Sequence, residues 1–273
     1  MTPQRRLITT ALLLSGLPVR AQSANGAALQ AAIDGPHRSA NNRARDAARH
    51  PLETLQFFGL QPDQQVVELQ PGGGWYTEIL APYLRTSGRL IAAHDAADDL
   101  EAYKRRARQN FDAKLAANPA LYDQVQVGLL PRGAQFTDIP PRGGADLVLT
   151  FRNIHNWIPA GEAGLKTLFA SVYDSLKPGG VFGVVEHRLP AARVQDAEAG
   201  SGYVHEAYVI RLAESAGFKL AARSEINANP KDKADHKGGV WALPPTYANK
   251  DAERAAYQAI GESDRMTLKF VKP

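Results

Sequence analysis

Two rhythms alternate along this chain. Short aliphatic and β-branched runs, the pattern of strands buried on both faces, are separated by longer stretches whose apolar residues recur with helical spacing. The runs are Val66-Val67 leading to Leu69, Leu90 to Ala93, Val125-Gln126-Val127, Ala145 to Phe151, Val181 to Val185, the stretch opened by Phe218-Lys219-Leu220, and Met266 to Val271. Helical patterns cover residues 41–58 with a break at Pro51, a segment starting near Trp75, and residues 96–121, 163–176, 203–216 and 250–260. Strand and helix in alternation predict an α/β fold: a doubly wound, mostly parallel sheet of seven strands.

The junction after the first run is the most informative. Glu68-Leu69-Gln70-Pro71-Gly72-Gly73-Gly74 leads straight into Trp75-Tyr76-Thr77-Glu78. Three glycines permit a sharp strand-to-helix turn and bring backbone N–H groups close to a ligand. The helix start behind them offers unpaired donors to an anion. A dinucleotide fingerprint asks for G-x-G-x-x-G, and Thr77 stands where its third glycine belongs. That weighs against an NAD-dependent oxidoreductase. About 20 residues beyond the glycines, at the end of the second run, an acid would meet ribose hydroxyls; here the position falls on His94 or Asp95.

The pattern Glu68-x-x-x-Gly72-x-Gly74 resembles motif I of class I S-adenosylmethionine-dependent methyltransferases, with Gln70 in place of the family's first glycine. Further landmarks follow in the family's order. They are the strand Ala145 to Phe151 with its loop Arg152-Asn153-Ile154-His155-Asn156-Trp157, the turn Leu176-Lys177-Pro178-Gly179-Gly180, and the turn Ala216-Gly217-Phe218. The block Arg45-Asp46, Arg49-His50-Pro51, Glu53-Thr54-Leu55 and Phe57-Phe58-Gly59-Leu60, with the tail Gly261 to Phe270, is similar to a bacterial family of predicted, often exported, methyltransferases. The resemblance implies a Rossmann-like methyltransferase sheet and S-adenosyl-L-methionine as cofactor. It implies Glu68, Gly72, Gly73, Gly74, Asp95 and Asn153 as cofactor-binding residues. It names no acceptor.

The family's last two strands are usually joined by a tight hairpin. Here residues 227–264 intervene, with Trp241-Ala242-Leu243-Pro244-Pro245 at their centre. Insertions of this length are functional or disordered, and an apolar Trp-centred patch argues against full disorder. We expect a lid or wall beside a substrate pocket.

At the other end, Arg5-Arg6 precede an apolar stretch from Leu7 to Val19, with Ala21 as a cleavage point. This is the order of a secretory signal over residues 1–21, and the paired arginines are also compatible with a twin-arginine route. Periplasmic or secreted localisation follows as an expectation. Residues 22–40 read as a flexible segment, and residues 41–273 as the methyltransferase-like domain. The formal net charge of +4 includes Arg5, Arg6 and Arg20; without them it is +1, so the basic balance suggests neither a nucleic-acid partner nor stable membrane insertion. The chain has no cysteine, which removes disulfides, thiolate nucleophiles and Cys-ligated metals.

Ligands of open α/β sheets lie beyond the strand C-termini, so candidate chemistry belongs just after the strands. Methyl transfer is an in-line displacement in which alignment carries most of the catalysis and a base assists a hydroxyl or amine. His155 is the expected base, because a neutral imidazole titrates near working pH; a purely structural loop histidine is the alternative. His50, Asn156, Trp157, His187 and Trp241 are the expected substrate-binding residues. His155, Glu186, His187 and His205-Glu206 lack metal-ligand spacing, so no metal is expected. The leading expectation is methyl transfer to a small molecule. An exported, non-catalytic nucleoside-binding module on the same fold is the alternative.

Overall fold

The computed structural model describes residues 19–130 and 143–273. The candidate signal up to residue 18 and most of the Pro/Gly-rich loop (residues 131–142) lie outside the described residues. In chain order the elements are α1 (Val19–Asp34), α2 (Ala40–Arg43), α3 (Asp46–Arg49), α4 (Pro51–Phe58), β1 (Gln65–Leu69), α5 (Thr77–Leu84), β2 (Arg89–His94), α6 (Ala102–Ala117), α7 (Pro119–Tyr122), β3 (Gln126–Leu129), β4 (Ala145–Phe151), α8 (Ile154–Trp157), α9 (Gly161–Ser175), β5 (Leu176–His187), α10 (Glu206–Ser215), β6 (Lys219–Ser224), α11 (Arg254–Ile260) and β7 (Arg265–Val271).

The seven strands form one sheet in the order β3-β2-β1-β4-β5-β7-β6. Strands β1 to β5 pair in parallel, and β7 runs antiparallel between β5 and β6. The order reverses between β1 and β4, the switch point at which such sheets bind ligands. Helices cover both faces. One core layer joins α9 and α10 to the sheet through Phe169, Val172, Phe182, Leu212 and Phe270; the other joins α1, α4 and α5 through Leu29, Leu55, Phe58, Ile79 and Leu80. The expected seven-stranded, doubly wound sheet is thus observed.

The N-terminal expectation needs correction. Residues 22–40 are not a loose leader to the domain: α1 spans most of them and packs on α4 and α5. Leu29, Ala32 and Ile33 share one helical face and are buried. Arg38 is also buried, bonded to the Ile33 carbonyl and paired with Asp46 at 2.7 Å. The domain therefore begins before residue 41. A stretch rich in Ala, Ser and Asn carries few apolar side chains, yet three at helical spacing suffice against an existing core.

Strands β6 and β7 place the insertion. Because β6 is parallel to β5, it ends at the C-terminal edge of the sheet, and β7 starts there. The intervening residues 225–264 are folded, with a 3₁₀ turn at Gly239–Ala242 and the helix α11. Polar brackets fix both ends. Asn227 donates to Thr54 Oγ1 and Thr267 Oγ1, Asn229 donates to the Ile260 and Glu262 carbonyls, and Arg188 bridges Glu225 and Asp264. Asp232 accepts from Tyr203 Oη and the Asp264 N–H and pairs with His236.

Candidate functional site

At the switch point β1 runs into the glycine loop. Gln70, where a glycine was expected from the resemblance, holds φ +47°, so the turn keeps its left-handed backbone without the residue that adopts it freely. The local strain is offset by bonds. Gln70 N–H donates to the Ala93 carbonyl (2.7 Å), and its side-chain oxygen accepts from Trp157 Nε1 (2.8 Å). Its amide nitrogen points to Asp95 Oδ1 at 3.4 Å. Gly72 and Gly74 also have positive φ. A Cβ on Gly72 or Gly73 would meet nothing within 4 Å, whereas one on Gly74 would lie 3.1 Å from Phe111. The open side of the loop is therefore over Gly72 and Gly73, and Gly74 is spent on packing against α6.

Glu68 lies beneath this loop, 2% exposed, and accepts from Thr77 Oγ1 at 2.6 Å. Thr77, the residue that breaks the dinucleotide fingerprint, is thus the partner of the motif's acid. Burial pushes the Glu68 carboxyl up to about 7, despite the hydroxyl that favours its charged form.

His94 and Asp95 have different surroundings. His94 is fully buried against Phe111, accepts the Asp95 N–H on Nδ1 (2.7 Å) and so presents its Nε2–H to the Gly72 carbonyl (3.2 Å). It braces the loop, and burial holds its pKa below the usual histidine value. Asp95 stands one residue beyond, at the sheet edge beside Gln70. Asn153 directs its amide nitrogen to the Leu69 and Gln70 carbonyls and to Thr150 Oγ1, tying the end of β4 to the loop.

After β4, α8 carries His155, 7% exposed. Its Nδ1 lies 3.0 Å from Glu186 Oε1, and its backbone N–H donates to the other carboxylate oxygen. Glu186 is fully buried near the end of β5 and also accepts the His187 N–H. A carboxylate on Nδ1 fixes the tautomer, leaving Nε2 as acceptor. The His155 ring faces His187 (centroids 5.3 Å apart) and Trp241 (6.0 Å, edge-on). The insertion thus folds over the C-terminal edge and sets Trp241 beside the expected base. Asn156 is exposed, and Trp157 is half-buried against Gln70. His50 adopts a left-handed conformation between α3 and α4, with its Nδ1 buried and unpartnered.

Ligand atoms of His155, Glu186 and His187 lie within 4.8 Å of one another. The surroundings disfavour a cation. His187 Nδ1 already bonds Ser263 Oγ, and burial together with His155, Arg152, Arg265 and Arg49 drives the His187 imidazole well below its ordinary pKa. Arg49, Arg152, Arg265, Glu262 and Tyr76 converge here. In the sequence Arg152 is a candidate only by its place after a strand, and Arg49, Glu262 and Arg265 stand out only through the family-like block and tail.

No protein-family model matches the chain. An uncharacterized methyltransferase of Synechocystis sp. is 33% identical over 141 residues, which is 52% of this chain and 54% of that protein. The match thus spans about half the length of the curated relative. Among solved structures, a SAM-dependent methyltransferase from Aquifex aeolicus superposes with TM-score 0.55 at 13% identity, covering 91% of this chain and 98% of its own. Geranyl diphosphate methyltransferase in complex with SAM gives 0.57 at 12% identity (89% and 95%). The [4+2]-cyclase SpnF gives 0.56 at 14% identity (93% and 96%). The chain has the Rossmann-like methyltransferase fold.

Proposed function

We propose that this protein is an S-adenosylmethionine-dependent methyltransferase acting on a small molecule. The observation that carries the reading is the His155–Glu186 pair at the sheet's C-terminal edge, next to the glycine loop and under Trp241. The residues suit the donor: Gly72 and Gly73 have open space above them, and Asp95 offers a carboxylate at the ribose offset. When bound, the sulfonium supplies an electrophilic methyl group on a good leaving group.

The chain's own residues do the remainder. Asp95 and the loop backbone orient the nucleoside. Trp157 and Asn153 hold the loop itself. Trp241 excludes water from the acceptor's side. His155 Nε2 takes the proton as the acceptor's oxygen or nitrogen bonds to the methyl carbon and the C–S bond breaks. Glu186 stabilises the imidazolium that results.

A second reading has a specific observation behind it. Gln70 spans Asp95 and Trp157 across the edge where the nucleoside would lie, and a [4+2]-cyclase with this fold illustrates that the scaffold serves other chemistry. In that reading the site binds a nucleoside without turnover. Calorimetric titration of the protein with S-adenosylmethionine and, separately, NADH tests the proposal. Saturable binding of the first and none of the second is expected; the reverse would replace methyl transfer by hydride transfer. We further propose export through residues 1–21. N-terminal sequencing of the native protein should find Gln22, and an intact Met1 on cytosolic protein would end that proposal.

A further inference from the structure

Four arginines meet at the C-terminal edge of the sheet, around the ends of β4 and β5 and the start of β7, away from Asp95 and β2. Arg45 and Arg49 come from the α3 region, Arg152 follows β4, and Arg265 opens β7. Glu262 answers three of them: it accepts from Arg45 Nε (2.6 Å), Arg49 Nε (3.2 Å) and Arg265 Nη1 (3.1 Å). Arg152 makes no side-chain hydrogen bond or ion pair among the described residues. Three cations therefore share one carboxylate in contact, and the fourth has none.

Donors are left over. Arg49 and Arg265 are 3% and 2% exposed, yet Arg49 Nη1 and Arg265 Nε have no partner, and neither does the buried Arg152 Nη1. The unpartnered His50 Nδ1 belongs to the residue next to Arg49. The three guanidiniums are grouped at one place on the edge, since Tyr76 and His187 each lie within electrostatic reach of Arg49, Arg152 and Arg265. Arg49 is partly stabilised by the Trp75 ring, 4.7 Å from its guanidinium carbon. Burial and the neighbouring Arg265 depress Arg152 to about 10, and burial with Arg152 holds Arg49 well below the ordinary arginine range, so the charges are held together against their own repulsion. Arg49 and Arg265 are buried and Arg45 and Arg152 half-buried, with Glu262 the one carboxylate in contact with the group among the described residues; a protein selected for stability alone would not keep that excess of positive charge, and an anionic group arriving with a ligand would discharge it.

We propose that Arg49, Arg152 and Arg265 form an anion subsite, with His50 beside it, that holds a phosphate-like dianionic group of the methyl acceptor. That the anion belongs to an acceptor rests on the methyltransferase reading. A dianion compensates more of this excess than a single carboxylate would. The position, past β4 and β7 and next to His155 and His187, is the acceptor's side of the edge. The competing source of the same chemistry is the amino-acid carboxylate of the donor.

The test uses the full chain and Arg152→Gln, chosen because it breaks no contact. Inorganic phosphate is the probe, read by calorimetry and by thermal unfolding. The wild type should bind phosphate saturably. Arg152→Gln should bind it about ten- to a hundredfold more weakly, as for loss of one charged hydrogen bond, and should unfold at a higher temperature than wild type without phosphate. A variant that melts lower and binds phosphate as well as wild type would overturn the subsite, as would a wild type that binds none. Two further titrations assign the source. If Arg152→Gln weakens S-adenosylhomocysteine but not methylthioadenosine, which lacks the carboxylate, the subsite serves the donor and the acceptor assignment falls. If both bind as in wild type, the acceptor assignment stands. If wild type binds neither, methyl transfer itself fails, while the phosphate result still decides the subsite.

Discussion

Replacing Glu68 by Gln should stabilise the protein above neutral pH and leave it almost unchanged in mild acid. Glu68 closes β1 beneath the glycine loop with one hydroxyl partner, and burial moves its carboxyl from 4.5 to about 7. A group whose folded pKa is raised contributes stability below its unfolded pKa and loses it as pH rises through the folded value. At about 1.4 kcal/mol per pH unit, ionised Glu68 costs the fold about 3 kcal/mol at pH 8 and under about 1 kcal/mol at pH 5. Glutamine keeps an acceptor for Thr77 Oγ1 and cannot ionise. Urea denaturation of wild type and variant from pH 5 to 8 should therefore show curves that converge in acid and separate by about 3 kcal/mol at pH 8, with equal m-values. A difference that stays constant across this range would refute the claim that an uncompensated carboxylate lies under the loop.

Glu262→Gln should behave oppositely. Burial raises its carboxyl, but Arg49 and Arg265 overcome this and hold it at about 2, so its stabilisation is present above about pH 4.5 and fades as pH falls through 2; the variant should lose about 3 kcal/mol at neutral pH, checked by the same denaturation series. Gly73→Val should abolish donor binding with the melting temperature nearly unchanged. Gly74→Val should instead destabilise the fold, since it forces a β-branched residue to φ +75° against Phe111; comparable melting of the two would contradict this division. His155→Ala should lower turnover by roughly 10²-fold with donor affinity preserved, and normal turnover would reduce His155 to a loop brace. Trp241→Ala should raise the acceptor's KM more than it lowers kcat, because the ring stands edge-on beside His155 and is no member of the His155–Glu186 pair; an unchanged KM would remove the wall.

The strands were legible because buried parallel strands are continuous apolar runs, and Val66-Val67 or Ala145 to Phe151 admit few other readings. The glycine turn was legible from Gly72, Gly73 and Gly74. Gln70 was not, since its left-handed backbone depends on a bond it donates to the Ala93 carbonyl and one it accepts from Trp157, which sequence spacing does not contain. The different surroundings of His94 and Asp95 show only in the fold, where His94 is buried against Phe111. His155 was visible as a residue after a strand, but its partner Glu186 lies 31 residues away across the β4–β5 pairing. The arginine subsite was the least legible: Arg45 and Arg49 meet Glu262 across 217 and 213 residues, and only the antiparallel insertion of β7 brings them together.

A crystal structure of the complex with S-adenosylhomocysteine tests the central claim most directly. The account predicts ribose hydroxyls on the Asp95 carboxylate, the nucleoside over Gly72 and Gly73 with the Gln70 side chain displaced, and the sulfur turned toward His155 Nε2 and Trp241. A ligand bound elsewhere on the sheet, or one whose sulfur faces away from His155, would contradict it.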